Sequence, residues 1–167
     1  MKTLLYDYSK ALSYPVGRDM TAAIGNATRI AKTFNTIEEY RDKRINVWCR
    51  GSSGMILGSI FVANIPNNER VVLCHVKKPG EKSHWDGTDC HAQSLLKQGE
   101  GPFINVAIDD FISSGRTIEE IQHVMVKESS RNIDVICLTS CESHSVTDFH
   151  LLLKHSPEYY IHRENIK

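Results

Sequence analysis

The sequence has no excess of either charge and no long apolar run, and its first residues do not predict a secretory signal. Twenty basic and twenty acidic residues leave a formal net charge of zero, which argues against a broad surface for nucleic acid or anionic membranes. No apolar segment approaches the roughly 20 residues of a membrane span, and residues 1–7 are too short and too soon polar for a signal peptide. We therefore expect a cytoplasmic protein without nucleic-acid or membrane partners.

The five cysteines show neither a disulfide framework nor the spacing of zinc ligands. Cys49, Cys74 and Cys137 lie in apolar, strand-like runs, where a free thiol behaves as a small core residue. Cys90 and Cys141 have histidines nearby, but no Cys-x-x-Cys or comparable pair accompanies them. We expect these residues to be free thiols without a bound metal.

Strand-like and helix-like segments alternate along the 167 residues, a length typical of one domain. No repeat, linker or low-complexity segment interrupts them. The apolar patterns predict strands at 45–49, 71–76, 104–108, 132–140 and 158–162, and helices at 20–43, 55–65, from about 118, and at 146–155. This alternation predicts a single α/β domain with a mostly parallel sheet flanked by helices, Rossmann-like, whose ligands lie outside the carboxyl ends of the strands.

Residues 106–117 carry the most informative pattern: a buried strand, two acids, then a turn rich in hydroxyl groups and glycine that leads into a helix. Free backbone N–H groups at such a helix start favour an anion. The two acids offer acceptors for the vicinal hydroxyls of a ribose, or for magnesium bound to it. The residues expected to contact ligand here are Asp109, Asp110, Ser113, Ser114, Gly115, Arg116 and Thr117.

A second strand is followed by Arg50-Gly51-Ser52-Ser53-Gly54, predicted to be a loop that opens a helix at Met55. Arg50 would give a charge-assisted contact to an anion, and the backbone amides of 51–54 would add further donors. By itself this sequence is typical of a flexible turn. Its place one strand-helix-strand unit before the acidic motif makes it a second anion site.

A third strand ends in the basic turn Lys77-Lys78-Pro79-Gly80, followed by a long polar stretch that reaches Gly101. Connections beyond about 12–15 residues in a compact domain are usually functional lids or disordered segments. An ordinary solvated basic turn is the alternative. We interpret the stretch as a loop that covers the site.

Taken together, these segments resemble the type I phosphoribosyltransferases. The signature of that family is four apolar residues, two acids, two variable positions, two small residues, Gly, any residue and Thr, and the Lys-Pro-Gly turn is similar to that of adenine- and xanthine-type members. The resemblance implies transfer of phosphoribosyl from phosphoribosyl pyrophosphate to a base, with Mg²⁺. Asp109, Asp110 and Lys78 would be catalytic, the acids holding ribose and indirectly magnesium.

The same resemblance assigns the remaining ligand contacts. Residues 113–117 would hold the 5′-phosphate, and residues 50–54 with Lys77 or Lys78 the pyrophosphate. Residues 1–19 and 156–167 are the candidates for the hood, the part of the family fold that covers the base. We also expect a homodimer.

One departure from the family pattern concerns the base. Members that act on 6-oxopurines have a third acid where this chain has Ser113, so the resemblance favours adenine-like bases and leaves the acceptor open. One alternative function is a protein of the same fold that binds or senses a nucleotide without turnover. A remoter alternative, a phosphoryl-transfer or receiver-like domain, leaves the turn after the acids unexplained.

Overall fold

The structure is a computed structural model, and it describes residues 2–7, 16–78, 80–81, 90–91, 102–110, 115–129, 133–139 and 159–161. Within these ranges the strands are β1 (Lys2–Asp7), β2 (Arg44–Arg50), β3 (Val71–Val76), β4 (Cys90–His91), β5 (Phe103–Asp109), β6 (Val135–Thr139) and β7 (Tyr159–Ile161). The α-helices are α1 (Met20–Thr36), α2 (Gly51–Ala63) and α3 (Arg116–Ser129), with 3₁₀ turns at Val16–Arg18, Glu38–Tyr40 and Asn68–Arg70.

The described strands form one seven-stranded sheet in the order β4-β3-β2-β5-β6-β1-β7. Every neighbouring pair is parallel except β3 with β4. Parallel neighbours need crossover connections, which the helices between the strands supply. The predicted α/β class with a mostly parallel, helix-flanked sheet is confirmed.

Helices cover both faces of the sheet, which explains why the central strands have almost continuous apolar sequences. On one face α1 and α2 pack against Val47, Val106 and Cys137, and on the other α3 packs against Trp48 and Ile136. The three cysteines whose side chains the structure describes, Cys49, Cys74 and Cys137, are buried free thiols, as predicted for core residues. None of the described helices combines the length and apolar content that crossing a membrane requires.

Helix α1 is shorter than the predicted 20–43. Its start is capped by Asp19, whose Oδ1 accepts a hydrogen bond from Ala22 N at 3.1 Å, as expected of an N-cap. The helix ends at Thr36 because Ile37 is extended, and the chain then folds back so that Tyr40 stacks on Phe34. Two apolar residues near its start do not belong to its buried face, since Met20 and Ile24 are 39% and 49% exposed.

The first strand, β1, and the last, β7, both belong to the sheet. The sequence patterns predicted only β7. β1 lies between β6 and β7, parallel to both, although residues 1–19 were expected to contribute to a hood. β7 occurs where a closing strand was predicted. The predicted helix at 146–155 and the remaining hood residues of both termini, except Val16–Asp19, lie outside the described residues, so the hood stays a prediction.

Helix α2 lies unusually close to the sheet because glycines face the strands. A Cβ at Gly58 would lie 3.1 Å from Leu73 Cδ1, 3.3 Å from Ile108 Cγ2 and 3.4 Å from Cys49 Sγ. These atoms belong to three adjacent strands, so a methyl group there must displace part of a close-packed core. Gly25 in α1 is different, since a Cβ there would meet only the guanidinium group of Arg29.

This difference predicts the ranking of two matched substitutions. Gly25→Ala should raise the free energy of unfolding by about 0.5–1 kcal/mol, the usual gain from replacing a glycine inside a helix. Gly58→Ala should give a clearly smaller gain or a loss, because packing strain offsets the helix propensity. Urea unfolding of both variants measures the difference, and equal stabilisation would contradict the packing described for α2.

Candidate functional site

The carboxyl ends of β2 and β5 border the one crevice that the described topology favours as a ligand site. From β2 the chain crosses through α2 to β3 on one side, and from β5 it crosses through α3 to β6 on the other. Because β2 and β5 are neighbours, the helices diverge on opposite faces between them. Ligands of open α/β sheets bind at such a switch point. The ends of these two strands carry Arg50 and Asp109.

Asp109 and Asp110 are both nearly buried, at 7% and 6% exposure. The backbone N–H of Asp110 donates to Asp109 Oδ1 at 2.9 Å. Burial, and next the negative charge of Asp110, raise the pKa of Asp109 well above its ordinary value, while the charge of Arg50 opposes the rise. Two buried carboxyl groups held together in this way are not favoured by packing alone, which makes them candidates for binding polar or cationic ligand atoms.

Arg50 forms an ion pair with Glu120, a residue of α3 for which the sequence patterns gave no role. The Arg50 side chain is only 13% exposed. Glu120 also accepts a hydrogen bond from Nε of Arg116, at 3.0 Å. The spacing of Arg116 and Glu120 on one helix could have indicated their contact, whereas the pairing of Glu120 with Arg50 depends on tertiary structure.

The residues predicted to form an anion-binding loop after β2 instead form the first turn of α2, which begins at Gly51 rather than at Met55. The expectation of a separate loop at 51–54 was therefore wrong. Gly51 has a φ of 69°, a left-handed conformation that lets the strand enter the helix directly. Arg50 is the N-cap residue, but its side chain makes no capping hydrogen bond. The amides of Gly51, Ser52 and Ser53 thus belong to a helix start, where an anion is favoured.

Lys78 lies beside this helix start. A Cβ built on Gly51 would be 3.4 Å from Lys78 Nζ. The turn that carries Lys78 is tied by Glu81, whose carboxylate accepts from Lys78 N at 2.9 Å and whose own N–H donates to Lys78 O at 3.0 Å. The structure thus brings together the basic turn and the end of β2, with the side chain of Lys78, rather than that of half-buried Lys77, beside Gly51.

The turn after the acids is described only in part. Gly115 has a φ of 81° and a Cβ on it would meet open space, so its backbone conformation, not crowding, calls for glycine. Helix α3 begins at Arg116, followed by half-buried Thr117. Ser113 and Ser114 lie outside the described residues, and their phosphate-binding role stays a prediction.

The described side chains offer little to a metal by themselves. No group of three or more His, Cys, Asp or Glu residues suited to a metal occurs in the described ranges. Asp109 and Asp110 nevertheless provide the hard carboxylate oxygens that magnesium prefers, and a cation near them would relieve their mutual repulsion. The pair therefore fits a magnesium ion whose remaining ligands are oxygens of a substrate or water.

The Cys49 thiol, whose pKa responds to the charge of Asp109, is not a candidate nucleophile. Burial, and secondarily the charge of Asp109, raise the pKa of Cys49 to about 12. The thiol is uncharged at neutral pH and is completely buried, whereas nucleophilic cysteines need thiolate character and access. Among the described residues, the chemistry of the crevice therefore falls to carboxylates, cations, hydroxyl groups and backbone amides.

No protein-family model matches the chain, and no curated protein matches it in sequence. The likeness to type I phosphoribosyltransferases therefore depends on the motif residues and on where the fold brings them.

The raised pKa of Asp109 predicts a pH-dependent gain in stability for Asp109→Asn. The folded protein binds the Asp109 proton more tightly than the unfolded chain, so stability falls as pH rises from about 4, the unfolded value, through the folded pKa. The asparagine keeps an acceptor for Asp110 N without this cost. At pH 7 we expect the variant to be the more stable of the two, because it avoids the cost of burying a carboxylate beside another acid.

Denaturant unfolding of both proteins across pH 3.5–8 checks this expectation. The difference in the free energy of unfolding should shrink toward the acid end, where the wild-type carboxyl group is protonated in both states. A variant that is less stable at pH 7 would show that Asp109 is a structural anion rather than a strained site residue.

Proposed function

We propose that the protein is a phosphoribosyltransferase of the type I kind, which transfers 5-phosphoribosyl from phosphoribosyl pyrophosphate to a nitrogenous base and releases pyrophosphate. The observation that carries this proposal is the convergence at one switch point of the acid pair, the start of α2 and the Lys78 ammonium. These groups come from separate segments of the chain. Each has the charge that its expected part of the substrate requires.

The acid pair suits the ribose. Asp109 and Asp110 lie at the end of a buried central strand, where their backbone is fixed. Carboxylate oxygens accept hydrogen bonds from the vicinal 2′ and 3′ hydroxyl groups. Displacement at the anomeric carbon passes through an oxocarbenium-like state, so two negative charges next to the sugar would also stabilise the developing positive charge.

The cations suit the leaving group. Pyrophosphate gains negative charge as the bond to the anomeric carbon breaks, and the backbone amides at the start of α2 offer donors to it. Lys78 would contact the same anion, because its amine already lies beside Gly51. Arg50 would supply a further charge-assisted contact. The 5′-phosphate would bind at the opposite side of the crevice, between Gly115 and the first turn of α3.

Magnesium would be held by Asp109 and Asp110 through the ribose hydroxyls or through water. When bound, it supplies charge stabilisation to the pyrophosphate. The protein's own contribution is to orient the sugar between the acids and the two helix starts. A lid formed by part of 77–102 would exclude water, which would otherwise attack the sugar in place of the base.

An adenine-like base is favoured over a 6-oxopurine within this proposal. The supporting feature is the serine at position 113, where the 6-oxopurine members of the resembling family have an acid. We also propose a role in purine salvage in the cytoplasm, and a homodimer as the working assembly.

A non-catalytic nucleotide binder is the competing function, and one observation favours it: the charge of Arg50, expected to act on the leaving pyrophosphate, is partly neutralised by Glu120. Pyrophosphate release separates the two functions. The purified protein is incubated with phosphoribosyl pyrophosphate, Mg²⁺ and each of a panel of purine and pyrimidine bases. We expect release with an adenine-like base well above the rate without a base. Binding of nucleoside monophosphates with no release for any base would identify a binder.

The role of Lys78 gives a sharper prediction about catalysis. Lys78→Ala should lower turnover at least tenfold and leave the affinity for nucleoside monophosphate within about tenfold, a change of roughly 1.4 kcal/mol. The reason is that a cation at the leaving group acts mainly on the transition state, and a monophosphate lacks that group. Lys32→Ala, which removes an exposed lysine of α1, serves as the control. Undiminished turnover in Lys78→Ala would remove this residue from the mechanism.

A further inference from the structure

Glu120 contacts two of the cationic residues at the crevice. Its carboxylate pairs with Arg50 at the end of β2 and with Arg116 at the start of α3. Arg50 is also close enough to Asp109 for its charge to lower the pKa of that carboxyl group. Charges of alternating sign therefore run from the end of β5, past the end of β2, to α3.

The orientation of Arg50 depends on these acids because little of its side chain reaches water. It is 13% exposed, compared with 78% for Arg116. Its Nε is buried and has no hydrogen-bond partner in the part of the chain that the structure describes. A guanidinium group in such surroundings is held by whichever carboxylates neutralise it.

The two acids would place Arg50 differently with respect to a ligand. Strand alternation puts Arg50 on the face of the sheet that α3 covers, together with Trp48. Arg50 drawn onto Asp109 would occupy the acceptor atoms proposed for the ribose hydroxyls. Arg50 paired with Glu120 would leave those atoms to the ribose, and as the N-cap residue of α2 it lies at the helix start proposed for pyrophosphate.

We propose that Glu120 is a positioning residue that holds Arg50 away from Asp109, so that Arg50 contacts the pyrophosphate end of the substrate. This inference deepens the proposed function and rests on it. Glu120 itself touches no reacting atom. Its effect on ligand binding is therefore exerted through Arg50 and should vanish when Arg50 is absent.

A double-mutant cycle tests this coupling with magnesium pyrophosphate as the probe, measured by calorimetry. Glu120→Gln should weaken binding about tenfold. In the Arg50→Ala background the same change should have less than a threefold effect, since residues that act through one another are not additive. Glu119→Gln, which removes the same charge from the exposed neighbouring position, should change affinity less than twofold.

A second-site variant separates positioning from a general structural role. If Arg50 collapses onto Asp109 in Glu120→Gln, the Glu120→Gln loss should largely disappear in an Asp109→Asn background, so the double variant should bind pyrophosphate about as tightly as Asp109→Asn alone. A loss caused by a damaged fold would persist in that background. Melting temperatures of all variants are measured alongside, and the loss in Glu120→Gln should occur without a matching loss of the folded state.

The outcomes distinguish this inference from the proposed function. If the wild-type protein binds neither phosphoribosyl pyrophosphate nor pyrophosphate, both fail. If it binds both ligands but Glu120→Gln binds pyrophosphate equally or more tightly, Glu120 acts as a repelling charge and only the positioning role is overturned. Additive effects of Glu120→Gln and Arg50→Ala overturn that role as well.

Discussion

The alignment of β2 with β5 is the constraint on which the rest of the site depends, and buried Asn105 supports it. The Asn105 amide oxygen accepts hydrogen bonds from Trp48 Nε1 at 3.0 Å and from Asn46 Nδ2 at 3.3 Å, both on β2. Its backbone N–H donates to the Asp134 carboxylate at 2.8 Å, just before β6. A slip of one residue would turn these amides into the apolar face under α1 and α2. Each buried polar group left without a partner would then cost about 1–3 kcal/mol.

This alignment fixes where the chemistry of the crevice occurs. Trp48 lies opposite Ala107 in the pairing, so the strands end together and place Arg50 near Asp109. The groups at these ends contribute poorly to folding: Asp109 is buried beside another acid, and Gly51 and Gly115 have positive φ. Groups with perturbed pKa values concentrate at functional sites. The stability of the domain comes from the apolar layers on both faces, which leaves the strand ends available for binding.

Much of the fold could be predicted because its signals are local. The strands around 45–49, 71–76 and 104–108 have the β-branched, apolar composition of buried parallel strands, and α3 has a clear helical period beginning at Ile118. The end of α1 and the start of α2 differ from their predicted positions because tertiary contacts determine them. Stacking of Tyr40 on Phe34 accompanies the end of one helix, and the glycines beneath α2 let the other begin against the sheet.

Some features of the candidate site could likewise be predicted from local sequence, and others depend on tertiary structure. The acids, Gly115 and the basic turn were recognisable from their order along the chain. The contact of Lys78 with Gly51 and the pairing of Arg50 with Glu120 join residues 27 and 70 positions apart, as their numbers in the sequence show, and no local pattern encodes such contacts. β1 was not predicted because residues 1–19 were considered only as part of the hood. In the structure, Lys2–Asp7 lies between β6 and β7, the two strands that come last in the sequence.

The most direct test of the central claim, that this crevice binds a ribose phosphate, is thermal unfolding of wild type and Asp110→Asn with phosphoribosyl pyrophosphate and Mg²⁺. A ligand that binds only the folded state raises the melting temperature with concentration. We expect such a rise for wild type, little for adenine or ribose alone, and most of it lost in an Asp110→Asn protein that is folded without ligand. No shift at millimolar ligand in folded wild type, or an equal shift in the variant, would contradict the claim.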